Sequence, residues 1–214
     1  MDEDLAIIEE KTRKEQIKGF LIKNKKIIYS FLALLLISFF SFFFYLDHIE
    51  SKKIEIANKF SIISENYDPK DKKLYYKKMT EIIESYDSTY SPLALFFLID
   101  NQMINSKEEA NILFDQILKN TSLEKEIKNL MIYKKTLINA DYQSEDKIVD
   151  SLKPLINSKS IWKPHSLLLL GDYFLAKGEK QKAKDFYYQI LNSNKTNEDI
   201  FNQAQLKILR HFSD

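Results

Sequence analysis

The chain has 214 residues, enough for one modest domain plus an anchor or for two very small domains. Its 32 Lys and Arg against 31 Asp and Glu leave a net charge of +1, without the basic field that holds a nucleic-acid binder. With no Cys, 3 Gly and 4 Pro, the chain excludes disulfides, thiolate metal sites, Cys nucleophiles and Gly-rich phosphate loops, and it disfavours a turn-rich sheet fold.

Residues 1–26 form a charged tail. Leu5, Ile8, Ile17, Phe20 and Leu21 give it only a broken apolar stripe. Ile27 to Leu46 follows, twenty residues without a charge. At 1.5 Å per residue such a helix crosses the roughly 30 Å hydrocarbon core of a bilayer. A buried core helix seldom stays apolar on every face for this length. A cleaved signal peptide has a shorter apolar run and a small-residue cleavage site. Here Asp47, His48, Ile49 and Glu50 follow instead, so an uncleaved signal-anchor is expected.

Orientation follows from the flanks. The tail carries Lys11, Arg13, Lys14, Lys18, Lys23, Lys25 and Lys26, whereas the first twenty residues after the span carry only Lys52, Lys53 and Lys59. The positive-inside bias places the tail in the cytoplasm and residues 47–214 across the membrane, in the periplasm of a Gram-negative cell. That distal part holds equal numbers of basic and acidic residues, interspersed as on a solvated surface.

Beyond the span, Ile49, Ile56, Phe60 and Ile63 keep helical spacing, so the helix is expected to run on to about Asn66, where Asp68-Pro69 stops it. Leu74, Met79, Ile82, Ile83 and Tyr86 mark the next helix. Start signals then recur. Ser91-Pro92 reads as an N-cap with Pro at the first helical position. Ser106-x-x-Glu109, Thr121-x-x-Glu124 and the weaker Thr196-x-x-Asp199 read as capping boxes. Ser144 precedes a helix with Ile148, Val149 and Leu152 that Pro154 kinks or shortens, and Lys163-Pro164 opens another. Ile200, Ala204, Ile208 and Leu209 mark the last.

Alternate starts fall near residues 91, 122, 163 and 197, at intervals of 31, 41 and 34. Helix pairs at a period near 34 point to a solenoid of degenerate tetratricopeptide-like hairpins, all-α, because one pair cannot bury its apolar face alone. With Pro164 as the first position, Leu167, Leu170, Gly171, Phe174, Gly178, Ala183, Tyr187 and Ile190 fall on the positions of that motif. Leu167 stands where Trp is common. Gly171 and Ala183 let two helices approach, Phe174 and Tyr187 fill the space around them, and Gly178 permits a left-handed turn.

Residues that carry chemistry are scarce. His48, His165 and His211 have no companion at metal-ligand spacing, so no metal or cofactor is expected. Glu108-Glu109 and Glu145-Asp146 suit the first turns of helices better than acid–base catalysis. No nucleophile motif is present, and no enzyme is expected. Phe96, Phe97 and Phe114 fall at core spacing, whereas Tyr133, Tyr142, Tyr173 and Tyr188 are open to a groove. Trp162 is either a packing anchor between repeats or a contact for a partner. The resemblance to tetratricopeptide modules places His165, Leu168, Asp172 and Leu175 on the groove side, where with Trp162 they are the candidate partner-binding residues.

The order of a charged tail, one span and degenerate helix pairs resembles the YfgM-type ancillary subunits of the SecYEG translocon. Glu10-Lys11-Thr12-Arg13-Lys14-Glu15-Gln16-Ile17, with Phe20 and Lys25-Lys26, is similar to that family's lead-in. Tyr90-Ser91-Pro92-Leu93-Ala94, Trp162-Lys163-Pro164 ahead of Leu170-Gly171 and Gly178-Glu179, and the closing Phe201-Asn202-Gln203-Ala204-Gln205 resemble its repeats and its terminal helix. The resemblance implies an inner-membrane protein beside SecYEG whose periplasmic repeats bind a periplasmic chaperone or an unfolded envelope client. A scaffold for envelope assembly or cell division, or a regulatory anchor whose helix 1–24 senses a signal, are the other classes the sequence admits.

Overall fold

The computed structural model describes Arg13, Lys14, Lys18, residues 20–193 and residues 197–212. Every regular element among them is helical. Helix α1 spans Lys25–Glu65, and a 3₁₀ turn at Pro69–Asp71 leads into α2 (Lys72–Ile83) and α3 (Tyr90–Asp100). They are followed by α4 (Lys107–Asn120), α5 (Lys125–Asn139), α6 (Glu145–Ile156), α7 (Lys163–Ala176), α8 (Lys180–Leu191) and α9 (Glu198–Phe212). The chain divides into two compact units, Met1–Glu55 and Ile56–Asp214.

In the first unit the apolar part of α1 is exposed. Phe31, Phe39, Phe40, Phe43 and Phe44 each show more than half of their surface, and the helix is long and apolar enough to cross a membrane. Lipid is the solvent that such a surface suits. The helix continues past this stretch without a break to Glu65, as the spacing of Ile49, Ile56, Phe60 and Ile63 predicts. Asp68 then takes an extended backbone, and its carboxylate accepts the N–H of Lys70 at 2.9 Å to start the 3₁₀ turn.

The second unit is a series of antiparallel hairpins in which each helix packs on the next, most extensively α7 on α8, with α9 against both. Its side chains form two cores. Ile56, Phe60 and Ile63 from the end of α1 pack on Met79, Ile83, Leu95, Leu98, Phe114 and Ile117. Around them Phe60 meets Tyr90 and Phe97, and Tyr67 meets Phe97 and Tyr75, at centroid distances of 5.2–6.4 Å. The second core joins Ile148, Leu152 and Leu155 to Leu170, Phe174, Ala183, Tyr187, Ile190 and Ala204. Helix α5 serves both, with Met131 in the first core and Ile132 and Tyr133 against the second. Each fully buried aliphatic or aromatic side chain contributes about 1.5–3 kcal/mol.

Two of the expected caps form otherwise. Helix α3 begins at Tyr90, and the acceptor for its first N–H groups is Asp87, whose carboxylate takes Thr89 N and Tyr90 N at 2.8 Å. Ser91 does not cap; it is buried and donates to Ile82 O of the preceding helix at 3.0 Å. Thr121 makes no capping box either, because it is the C-cap of α4 and α5 starts only at Lys125. A bond across a hairpin overrides a local cap at Ser91, and chain reversal does so at Thr121. At Ser106 the expected N-cap bond does form, Ser106 Oγ accepting Glu109 N at 3.1 Å, while the Glu109 side chain reaches one residue further back, its Oε2 accepting Asn105 N at 2.8 Å. Ser144 and Lys163 mark the starts of α6 and α7 as expected, and α6 ends two residues after Pro154. The Thr196 box lies outside the described residues.

Candidate partner-binding groove

Helices α5 and α7 leave a groove between their C-terminal halves. Leu137, Ala140 and Asp141 line it from α5 and the turn after it; Leu169, Asp172 and Ala176 line it from α7, in a cavity of about 390 Å³. Along α7 the positions facing it follow a helical step of three and four residues. Leu137 is 42% exposed there, an apolar side chain left open to solvent.

The close fit of α7 on α8 sets the wall of this groove. A Cβ on Gly171 would stand 2.4 Å from the Tyr187 ring, so only glycine admits that ring. Tyr187 is fully buried up to its hydroxyl, which donates to Asp172 Oδ1 at 2.7 Å. Burial, then the bond and charge of Asp172, push the Tyr187 hydroxyl pKa well above the ordinary tyrosine value. Lys207 of α9 pairs with the same Asp172 oxygen at 2.8 Å. One carboxylate thus ties α7, α8 and α9 while presenting 41% of its side chain to solvent. Gly178 closes the hairpin with φ +79°, and the bonds Gly178 N to Leu175 O and Glu179 N to Phe174 O form a Schellman turn.

At the other end of α7 a polar clasp locks the repeats together. Glu126 of α5 accepts Ser160 Oγ at 2.7 Å and Ile161 N at 3.2 Å. Ser160 Oγ also accepts Asn129 Nδ2 at 3.0 Å and Trp162 N at 3.1 Å. These bonds, Ser160 first, hold the Glu126 carboxyl below its usual pKa. Trp162 donates its indole N–H to Glu126 O at 3.0 Å and stacks on Tyr133, with centroids 6.0 Å apart.

The five residues singled out from sequence therefore divide. Asp172 lines the groove. Trp162 is half-buried in the clasp. His165 packs beside Trp162 and Tyr133, and burial lowers its pKa. Leu168, Leu169 and Leu175 all pack partly buried against the second core, and of these only Leu169, with Ala176, also lines the groove. Among the open tyrosines, Tyr142 is 75% exposed beneath the Lys107 ammonium, 3.3 Å from the ring centroid. Tyr173 is buried and donates to Gln143 O. Glu126 and Ser160 carried no sequence signal: they lie 34 residues apart and meet only when the repeats stack. Among the described residues no three His, Asp or Glu side chains converge as a metal site requires.

A stack of helical hairpins with an open groove, and an N-terminal helix fit to span a membrane, defines a helical-repeat scaffold for protein–protein interaction. The chain matches the tetratricopeptide repeat-like domain family over residues 18–210 and belongs to it. No curated protein and no solved structure matches it.

Proposed function

We propose that the protein is a non-enzymatic, single-span interaction module of the bacterial inner membrane, an ancillary subunit beside the Sec translocon. Residues 1–26 lie in the cytoplasm, residues 27–46 cross the bilayer, and the repeats face the periplasm. The α5–α7 groove receives a segment of a periplasmic chaperone or of an envelope protein leaving the channel. The observation that carries this reading is that groove, with apolar Leu137 and Leu169 beside the Asp172 carboxylate. Tethering confines it to the membrane surface and raises its effective concentration near an emerging chain. The resemblance of the tail and repeats to translocon subunits supports the choice of partner.

The test is photo-crosslinking in native membranes from Tyr45 and Leu137, followed by mass spectrometry. Adducts to SecY from Tyr45, and to a chaperone or envelope client from Leu137, are expected. Adducts confined to division or outer-membrane assembly proteins replace the translocon by an envelope-scaffold role.

A further inference from the structure

Helix α9 carries an apolar feature that its own fold does not use. Ile200 and Ala204 face the second core, and the opposite side presents Leu206 and Leu209, one turn apart and each 58% exposed. Beside Leu206 lies a cavity of about 130 Å³ framed by Gln203, Leu206, Lys207 and Arg210. Those positions are i, i+3, i+4 and i+7, the four-residue hole that receives a knob when two helices pack.

The charges on this face are complementary to themselves. Asp199 lies in the first turn of α9 and Arg210 in the last. Lys207 is engaged with Asp172, but neither the Asp199 carboxylate nor the Arg210 guanidinium has a partner among the described residues. Eleven residues separate the two, about three turns, so they stand on the same edge of the helix. In an antiparallel pair of helices, like edges meet.

We propose that this face of α9 is a two-fold interface through which two copies of the chain associate. The two α9 helices cross antiparallel near Leu206, each Leu206 enters the hole of the other, and Asp199 comes within a turn of Arg210 of the second copy. A surface that holds knob, hole, acid and base together closes on itself under a two-fold axis; a different partner would have to supply all four.

The experiment uses the full chain in detergent micelles, followed by sedimentation velocity with helicity and melting checked for each variant. A concentration-dependent dimer is expected. Leu206→Glu is expected to weaken it by about tenfold or more, since a buried central contact dominates such an interface. Asp199→Arg and Arg210→Asp each weaken it several-fold, and the two together restore it. Because the chain has no Cys, a single Leu206→Cys near the axis should oxidise to a linked dimer faster than Ile112→Cys, a 66% exposed position on α4. A monomer at every concentration overturns the proposal. So does a dimer indifferent to Leu206→Glu, a charge swap that does not restore association, or a Leu206→Cys variant that links no faster than the Ile112→Cys variant.

Discussion

Tyr187 donates its hydroxyl proton to Asp172 at 2.7 Å while its ring fills the space that Gly171 leaves free of a side chain. One residue thus fixes both how closely α7 and α8 approach and where the Asp172 carboxylate sits in the groove. Gly171→Ala must displace a ring that is buried and held at its far end. The expected loss is about 1–3 kcal/mol, the range for overpacking a filled core. Tyr187→Phe keeps the ring and removes the bond, for a loss of about 1 kcal/mol. Urea unfolding of the two variants distinguishes steric from polar contributions.

The same turn closes two hairpins with different residues. Gln102 after α3 has φ +53° and Gly178 after α7 has φ +79°. Both make the paired bonds of a Schellman turn, with Met103 N to Leu98 O at 2.9 Å in the first. A left-handed conformation strains a side-chain-bearing residue by about 1 kcal/mol. Gln102→Gly is therefore expected to stabilise the protein, and Gly178→Ala to destabilise it, each by roughly that amount. Thermal melts showing shifts of opposite sign check this.

Acid is expected to loosen the joint between repeats in two stages. Burial lowers the His165 pKa, so the unfolded chain binds the proton more readily, and stability falls as pH drops below the ordinary value of about 6.5. The hydrogen bonds of Glu126 lower its carboxyl pKa, so its contribution is present above about 4.3 and is lost as pH falls through the lower folded value. Urea midpoints measured from pH 8 to 3 should fall in both windows. His165→Gln should flatten the first, and Glu126→Gln should shrink the second.

Leu137 offers a way to test the groove without disturbing the fold. It is 42% exposed, and Leu137→Glu places a charge in the apolar part of the groove. Melting should change by less than about 1 kcal/mol, as for a surface substitution. Yield of photo-adducts from a neighbouring groove position should fall at least several-fold. Unchanged adducts would move the partner site elsewhere.

Local periodicity and end signals carried most of the fold. The apolar stretch, the continuation of α1 to Glu65 and the hairpin from Lys163 to Leu191 each follow from spacing along one helix, and Gly171, Gly178 and Tyr187 stand where that spacing places them. These are short-range properties, set by 3.6 residues per turn and by which residues tolerate a close approach or a left-handed backbone. The caps at Ser91 and Thr121 formed otherwise because a buried bond to Ile82 and the end of α4 outweighed a local preference of about 1 kcal/mol.

The groove belongs to a different scale. Which face of α7 lies open depends on how α5 and α9 rotate against it, and a rotation of one residue step exchanges Leu168 and Leu175 for Leu169 and Ala176. The bonds from Glu126 to Ser160 and from Asp172 to Lys207 join residues 34 and 35 positions apart. No pattern within one helix encodes such pairs. They arise when hairpins stack, because the stacking that buries the two cores also brings distant polar groups within hydrogen-bond reach.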